Sequence, residues 1–393
     1  MEKMDYTRDF SDAEIMELID EDVLNTGKEY GLTLQQKSRL KKELFASIRQ
    51  LDVLEAFLSD NAVTEIMVNG PDCIFVEKNG QLTREDVHFE SSEKLSDVIQ
   101  QIVAKVNRVV NESTPIVDAR LSNGARVNVV MPPVALNGPI LTIRRFPDTP
   151  IDAEDLYRLG SISKEAMSFL QKLIQARFNI FISGGTGSGK TTFLNVLSNF
   201  IPREERIITI EDNAELQIRN IPNLVRLETR NANVEGCRPI TIRDLIKSAL
   251  RMRPDRIVVG EVRSEEAIDL LMAMNTGHDG SLSTGHANSA KDMLSRLETM
   301  VLMGMEMPLD AIRRQIASAV DIIVHLGRLR DHSRKVLEIV EVVDYVGGEI
   351  VLSPLYTFME DGNHEKGQVQ GMLQKREPLI HQEKLKSAGI EWI

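Results

Sequence analysis

One short stretch limits what this chain can become more than any other. The segment NIFISGGTGSGKTTFLNVL reads as an apolar strand ending at Ser183, a loop of Gly184, Gly185, Thr186, Gly187, Ser188 and Gly189, and a helix that begins at Lys190. Glycines let consecutive backbone N–H groups turn inward around an anion without side-chain clashes. The helix N-terminus adds a favourable dipole for negative charge. In such a loop the lysine, Lys190, contacts the β- and γ-phosphates of a nucleotide, and the next hydroxyl, Thr191, is offered to Mg²⁺. Thr192 completes the candidate nucleotide-binding run. A chance Gly-rich turn is the alternative, and the flanking strand and helix argue against it.

Three further blocks carry groups suited to work on a bound triphosphate. RIITIEDNAEL places Glu211, Asp212 and Glu215 just past a strand end, the edge where ligands gather in open α/β sheets. One of these acids is expected to orient or deprotonate an attacking water; a solvated helix start would also favour acids. RPDRIVVGEVRSEEA is a strand ending in Gly260-Glu261. Many phosphate-loop ATPases hold Mg²⁺ with an Asp at such a strand end. Here Gly260 stands at that place and the longer Glu261 follows, suited to act on magnesium through a water or to position the nucleophile. Ser264 is expected to cap the next helix, with Glu265 and Glu266 in its first turn. AMNTGHDGSLSTGHANS sets His278 and His286 around a short strand. Two histidines suggest a metal site, but no third ligand set accompanies them. The expectation is that one imidazole contacts the nucleotide and the other steadies the loop, with His286 taken as the catalytic candidate. An Asn-Lys-x-Asp guanine-reading element is missing from the sequence, which disfavours a GTPase.

The surrounding chain fits a multidomain α/β protein. Residues 1–60 read as helical: Ser11 and Glu14 form a capping box, and Leu40, Leu44, Phe45, Ile48, Leu51 and Leu58 recur at helical spacing. Residues 61–150 read as a small α+β domain. It has strands at IFVE, IVDARL, ARVNVVM and LTIRRF, turns at Asn79-Gly80 and Asn123-Gly124, and one amphipathic helix from Leu95 to Val106. Pro147, Asp148 and Pro150 mark a linker. From 151 to 393 short β-branched runs (NIFIS, RIITI, LVRLE, RIVVG, DIIVHL) alternate with helical patterns, which predicts a mostly parallel sheet under helices. The end, from about Asp361, reads as polar and then weakly helical.

Composition narrows the partners. Against 47 Lys and Arg stand 59 Asp and Glu, a formal net charge of −12, which disfavours a large sequence-independent nucleic-acid surface. Cys73 and Cys237 are the only cysteines and lie far apart, so both read as structural residues of a protein from a reducing cytosol. The acidic N-terminus lacks a signal-peptide core, and no apolar run approaches the ~20 residues that span a bilayer. Any membrane role is expected to be peripheral.

The four blocks in this order resemble the secretion ATPase superfamily that powers type II secretion, type IV pili and type IV secretion. Its Walker A loop is GGTGSGKT here, its Asp box TIEDNAEL, its Walker B element IVVGEVR and its His box GHDGSLSTGHAN. VTEIMVNG, VDARLSNGARVNVVMPP and LTIRRF are similar to the branch that assembles tight-adherence (Flp-type) pili, and the likeness covers about residues 60 to 330. The Gly260-Glu261 pairing is normal for this family. The resemblance implies a RecA-like ATPase domain behind an N-terminal domain, a homo-hexameric ring, and ATP with Mg²⁺ held between the two domains. It further implies a cytoplasmic protein acting on an inner-membrane platform protein. By motif match, Lys190 and Thr191 bind phosphate and Mg²⁺, and Glu261 works at the Mg²⁺ and water. Glu215 is the first choice for the Asp-box catalytic acid, with Glu211 behind it. Arg120, Arg126, Arg144 and Arg145 fall in the arginine-bearing N-domain strands, where a guanidinium can act as an arginine finger; salt bridges on strand faces are the plainer reading. A type IV secretion or DNA-transfer motor is the second reading, though the basic, aromatic-interleaved face it calls for is not found in the sequence. A nucleotide-binding scaffold without turnover is the third, and intact Lys190, Thr191 and Glu261 argue against it.

Overall fold

Two capping boxes build the helical lead-in. In α1 (Asp12–Glu29) the Ser11 hydroxyl accepts from the Glu14 N–H while the Glu14 carboxylate accepts from the Ser11 N–H. Thr33 and Gln36 repeat the device at the start of α2 (Leu34–Arg49). Ile15, Ile19 and Val23, one helical stripe, pack against Leu40, Leu44 and Ile48. The computed structural model describes residues 10–78, 80–145, 150–230, 238–361 and 369–391. Asn79, Cys237 and the linker positions Pro147 and Asp148 lie outside those residues. Contacts divide the chain into two units, Met1–Asp148 and Thr149–Ile393.

In the first unit, α3 (Leu54–Leu58) leads into β1 (Val63–Asn69), β2 (Ile74–Lys78) and β3 (Gln81–Glu85). After α4 (Ser92–Ala104) come β4 (Ile116–Arg120), β5 (Arg126–Val130) and β6 (Ile140–Arg144). The strands form one antiparallel sheet in the order β3-β2-β1-β6-β5-β4. Its buried face carries Ile66, Val68, Val127, Val129, Leu141 and Ile143, covered by Leu95, Val98, Ile99 and Ile102 of α4. Leu51, Leu54 and Phe57, upstream of the expected boundary at residue 61, belong to that same core.

The second unit opens with α5 (Ala153–Arg158) and α6 (Lys164–Gln175), then β7 (Ile180–Gly184), α7 (Lys190–Ser198), β8 (Ile207–Glu211) and β9 (Leu224–Glu228). It continues through α8 (Ile242–Ala249), β10 (Arg256–Val259), α9 (Glu266–Met274), β11 (Leu282–His286), α10 (Ala290–Gly304) and α11 (Leu309–Ala319). The last elements are β12 (Ile322–Arg328), β13 (Arg334–Val346), β14 (Glu349–Glu360), β15 (Gly371–Lys375) and α12 (Glu383–Ser387). The sheet order is β15-β14-β13-β12-β7-β11-β10-β8-β9, parallel from β12 to β9 and antiparallel from β12 to β15. Every residue of β7, β8 and β10 is buried, as parallel strands covered on both faces require. One face packs on Phe169, Leu170, Leu194 and Leu197, the other on Ile246, Leu270, Leu297 and Ile316. The antiparallel meander β13–β15 extends the sheet; only β15 and the short helix α12 fall in the end, from about Asp361, that the sequence marks as polar and then weakly helical.

Side chains stitch the amino edge of the parallel sheet. Asn179 Oδ1 accepts from the N–H groups of Gly280 and Ser281 at 2.8 and 3.0 Å, its Nδ2 donates to Ala319 O at 2.8 Å, and its backbone N–H donates to Asp321 at 2.6 Å. Lys384 of α12 bonds Asp279 and Asp321 at 2.8 and 2.7 Å. Fully buried Arg256 pairs with Glu205 and donates to Ile174 O. These contacts leave the loops of the carboxyl edge to the chemistry.

Candidate nucleotide site

The central strand β7 delivers the glycine loop to the carboxyl edge. Gly187 and Gly189 have φ of 71° and 93°, a region that disfavours other residues, and Gly189 is the N-cap of α7. A Cβ on Gly184 would lie 2.5 Å from Leu326 O and 2.6 Å from Ser188 Oγ, so no larger side chain fits there. Loop carbonyls are held by donors: Gly185 O accepts from Ser188 Oγ and from Lys190 Nζ, each at 2.9 Å. Thr191 and Thr192 occupy the first turn of α7, half-buried, where backbone N–H groups have no intrahelical acceptor. Thr186 is an exposed loop residue beside the cleft described below.

From the loop a line of contacts runs to the acidic strand end. Lys190 Nζ stands 3.3 Å from His286 Nδ1, and His286 Nε2 stands 2.8 Å from Glu261 Oε1. An ammonium only donates, so Nδ1 must accept and the ring proton sits on Nε2. Glu261 Oε1 is close to it but is buried without a hydrogen-bond partner, so the contact is one of proximity. Burial, together with nearby Lys190, Arg263 and Arg296, holds the His286 pKa below its ordinary value despite Glu261, which keeps the ring neutral. Glu261 Oε2 accepts from Arg263 Nη2 at 2.7 Å. That bond, with the fields of Glu261, Asp212 and Glu215, raises the Arg263 pKa, so Arg263 is the cation around which these acids gather.

The acids of the second block divide. Glu211 is buried; its Oε2 accepts from the N–H groups of Glu215 and Leu216 at 2.7 and 2.8 Å, and its Oε1 is buried without a partner. Burial, the largest effect, pushes its pKa up to about 7, although those two N–H groups pull it down. Gly260 makes the space: a Cβ there would lie 3.1 Å from Glu211 Cγ. Glu211 therefore pins the turn that carries half-buried Glu215. A cleft of about 590 Å³ opens beside these groups, lined by Gly185, Thr186, Arg263, His286 and, from α10, Asp292 and Arg296.

One detail departs from expectation. Ser264 does not cap α9; Glu265 is the N-cap, without a side-chain bond, and the Glu266 carboxylate accepts from the N–H groups of Arg263 and Ser264 at 2.7 and 3.0 Å. A carboxylate in the first turn reaches back to those donors and does the work assigned to the hydroxyl. The two histidines flank the short strand, as their placement in the sequence implies. β11 ends at His286 and starts after His278, so the strand separates them, and His278 Nδ1 is buried without a partner. Among the described residues no group of His, Cys, Asp and Glu is placed to hold a metal ion on its own.

The four arginines of the first unit fall on two sides of its sheet. Register places Glu65, Arg144, Arg126 and Arg120 in one cross-strand row, on the face opposite the core. Arg120 also donates to Gly124 O at 3.0 Å. Arg145 is bound by its own unit: its Nη1 donates to the carbonyls of Phe57, Asp60 and Val63 and its Nη2 to Asn61.

Three residues near the loop escaped sequence reasoning. Arg263 stood in a quoted block, and its adjacency to Glu261 was the available signal. His325, in β12, is buried; its Nδ1 lies 2.8 Å from Ser183 Oγ and its ring bonds the Asn288 carbonyl, tying the loop strand to the segment after His286. Arg334 donates from Nε to Gly187 O at 2.8 Å.

The chain is similar to known proteins over most of its length. The family model described as Type II/IV secretion system protein matches residues 48–374. A putative conjugal transfer protein of Mycobacterium tuberculosis is 36% identical over 310 residues, 76% of this chain and 88% of the relative. The type IV secretion system protein VirB11 of Brucella suis is 34% identical over 303 residues, 70% and 84% of the two chains. The solved Legionella pneumophila ATPase DotB shares the fold, with a TM-score of 0.53 at 22% identity over 73% of this chain and 79% of that one. The phosphate loop, the acids and histidine gathered at one sheet edge, and a family match across most of the sequence converge: the chain belongs to the type II/IV secretion system protein family and is one of its ATPases, a RecA-like phosphate-loop domain behind an N-terminal domain.

Proposed function

We propose that this ATPase is a motor subunit that works as a homo-hexamer on an inner-membrane platform protein, driving assembly of a tight-adherence type pilus or secretion through a related machine. The observation that carries this reading is the line Lys190–His286–Glu261–Arg263, which joins the phosphate loop to the acidic strand end. Lys190 and the N–H groups from Gly185 to Thr192 neutralise and orient the phosphates. The Thr191 hydroxyl and the Glu261 carboxylate fit Mg²⁺, a hard ion that keeps several waters and needs few protein oxygens. When bound, Mg²⁺ supplies charge neutralisation between the β- and γ-phosphates. Glu215, on the turn pinned by Glu211, takes the proton of the attacking water as the bond from γ-phosphorus to the ADP oxygen breaks. Arg120, Arg126 and Arg144 are the finger candidates; Arg145, spent on four acceptors of its own unit, is not. No helix among the described residues is long and apolar enough to cross a membrane.

The second reading, a motor of a type IV secretion or conjugative apparatus, is favoured by the names of the Mycobacterium and Brucella relatives. The net charge of −12 weighs against direct binding to nucleic acid in either case. Crosslinking in native membranes separates the two. Capture of a polytopic platform protein with pilins supports the first, and capture of a relaxase or of DNA supports the second.

A further inference from the structure

The strands that follow the four nucleotide-site blocks bring two arginines to the outer side of the phosphate loop. β12 runs parallel to β7 with Leu326 opposite Gly184, so Arg328 continues past the paired residues alongside the loop. The chain then turns back: Leu329 N–H donates to Ser333 O at 2.8 Å, and the Asp331 carboxylate accepts from Ser333 N–H, Ser333 Oγ and Val369 N–H at 3.0, 2.6 and 2.8 Å. This braced turn delivers Arg334, whose Nε donates to Gly187 O at 2.8 Å. Arg334 Cδ lies 3.5 Å from where a Cβ on Gly189 would stand, and Arg328 Nη1 lies 3.9 Å from the corresponding point on Gly187.

We propose that Arg334 is a positioning residue for nucleotide binding, clamping the Gly187 peptide from outside while Arg328 adds a second positive charge on the same side. A loop with glycines at positive φ has much backbone freedom, and ordering it on binding costs conformational entropy. Fixing one carbonyl outward fixes the plane of its peptide and removes part of that cost before the nucleotide arrives. The guanidinium also covers the negative end of a carbonyl dipole that would otherwise face a polyphosphate. Neither arginine lies in the Walker, Asp or His blocks.

The inference rests on the loop being the nucleotide's cradle, and the test reads the two separately. ADP binding by calorimetry and steady-state ATP turnover are compared for the full chain and for Arg334→Ala, Arg334→Lys, Arg328→Ala and Lys190→Ala. Arg334→Ala should raise KM for ATP and Kd for ADP about tenfold, the scale of one charge-assisted hydrogen bond. Its kcat should stay within about twofold of wild type, with the nucleotide-free melting temperature unchanged. Arg334→Lys should recover part of the affinity, and Arg328→Ala should give a smaller rise. Unchanged KM and Kd in Arg334→Ala, beside a Lys190→Ala protein that has lost turnover, would leave the cradle standing and overturn the clamp. A fall in kcat matched by a fall in melting temperature, with Kd unchanged, would overturn it too. A wild-type protein that bound no ADP would overturn cradle and clamp together.

Discussion

Among single side chains, two glutamates at neighbouring strand ends take opposite parts. Glu211 turns inward with its pKa at about 7 against an ordinary 4.5, whereas Glu261 stands between His286 and Arg263. Between those two pH values native Glu211 holds more proton than the unfolded chain does, so stability falls as pH rises through the window. The loss reaches about 3 kcal/mol when the window is complete. Glu211→Gln keeps the acceptor for the two N–H groups and cannot titrate. Urea midpoints at pH 5 and pH 7.5 should therefore fall for wild type relative to this variant, and a pH-independent gap would refute the assignment. Glu261→Gln should retain ADP affinity while turnover drops at least about a hundredfold; a collapse of affinity with normal turnover per bound ATP would make Glu261 a binding residue. Lys190→Ala should abolish turnover, and phosphate release near the wild-type rate would remove the loop from the mechanism. The identity of these residues was legible in TIEDNAEL and IVVGEVR. Which acid faces inward was not, because that depends on the space left by Gly260 on the adjacent strand.

For whole elements, legibility followed burial. NIFIS, RIITI, RIVVG and DIIVHL announced themselves because a parallel strand covered on both faces reads as an unbroken apolar run. β13 and β14 carry bulges at Ile339/Val340 and Val342/Asp344, which break the two-residue period, and β15 is five residues held by pairing to β14. Arg334 and His325 were invisible as site residues because their loop partners lie 147 and 142 positions away. Glycine chemistry, by contrast, is local, so the phosphate loop could be read directly. Asn179 has the same long-range character: it joins the segments before β7, β11 and β12, at separations of up to 140 residues. Asn179→Ala would leave two buried N–H groups and a carbonyl without that partner. It should lower unfolding stability by at least about 2 kcal/mol, measured by denaturant titration, while ADP affinity in the folded fraction stays intact.

At the scale of the molecule, the arginine row gives the decisive comparison. Arg120→Ala, Arg126→Ala and Arg144→Ala are assayed one at a time. At least one should cut turnover about a hundredfold or more and leave ADP affinity unchanged, since ADP lacks the phosphate a finger would touch. Arg145→Ala should instead lower the melting temperature, because it strips donors from three carbonyls and Asn61. Three variants with normal turnover would dismiss the row. The stitched amino edge of the second unit has a consequence of its own. Asn179, Lys384, Arg256 and their partners anchor the backbone at the strand starts, while the glycine loop and the acidic turns occupy the strand ends. Deuterium should enter the exposed amides of the glycine loop early and those of Gly280, Ser281 and Asn179 late. On the proposed motor reading, a glycine-rich edge backed by a stitched one would pass a displacement set by phosphate release through the slab as a whole instead of dissipating it inside.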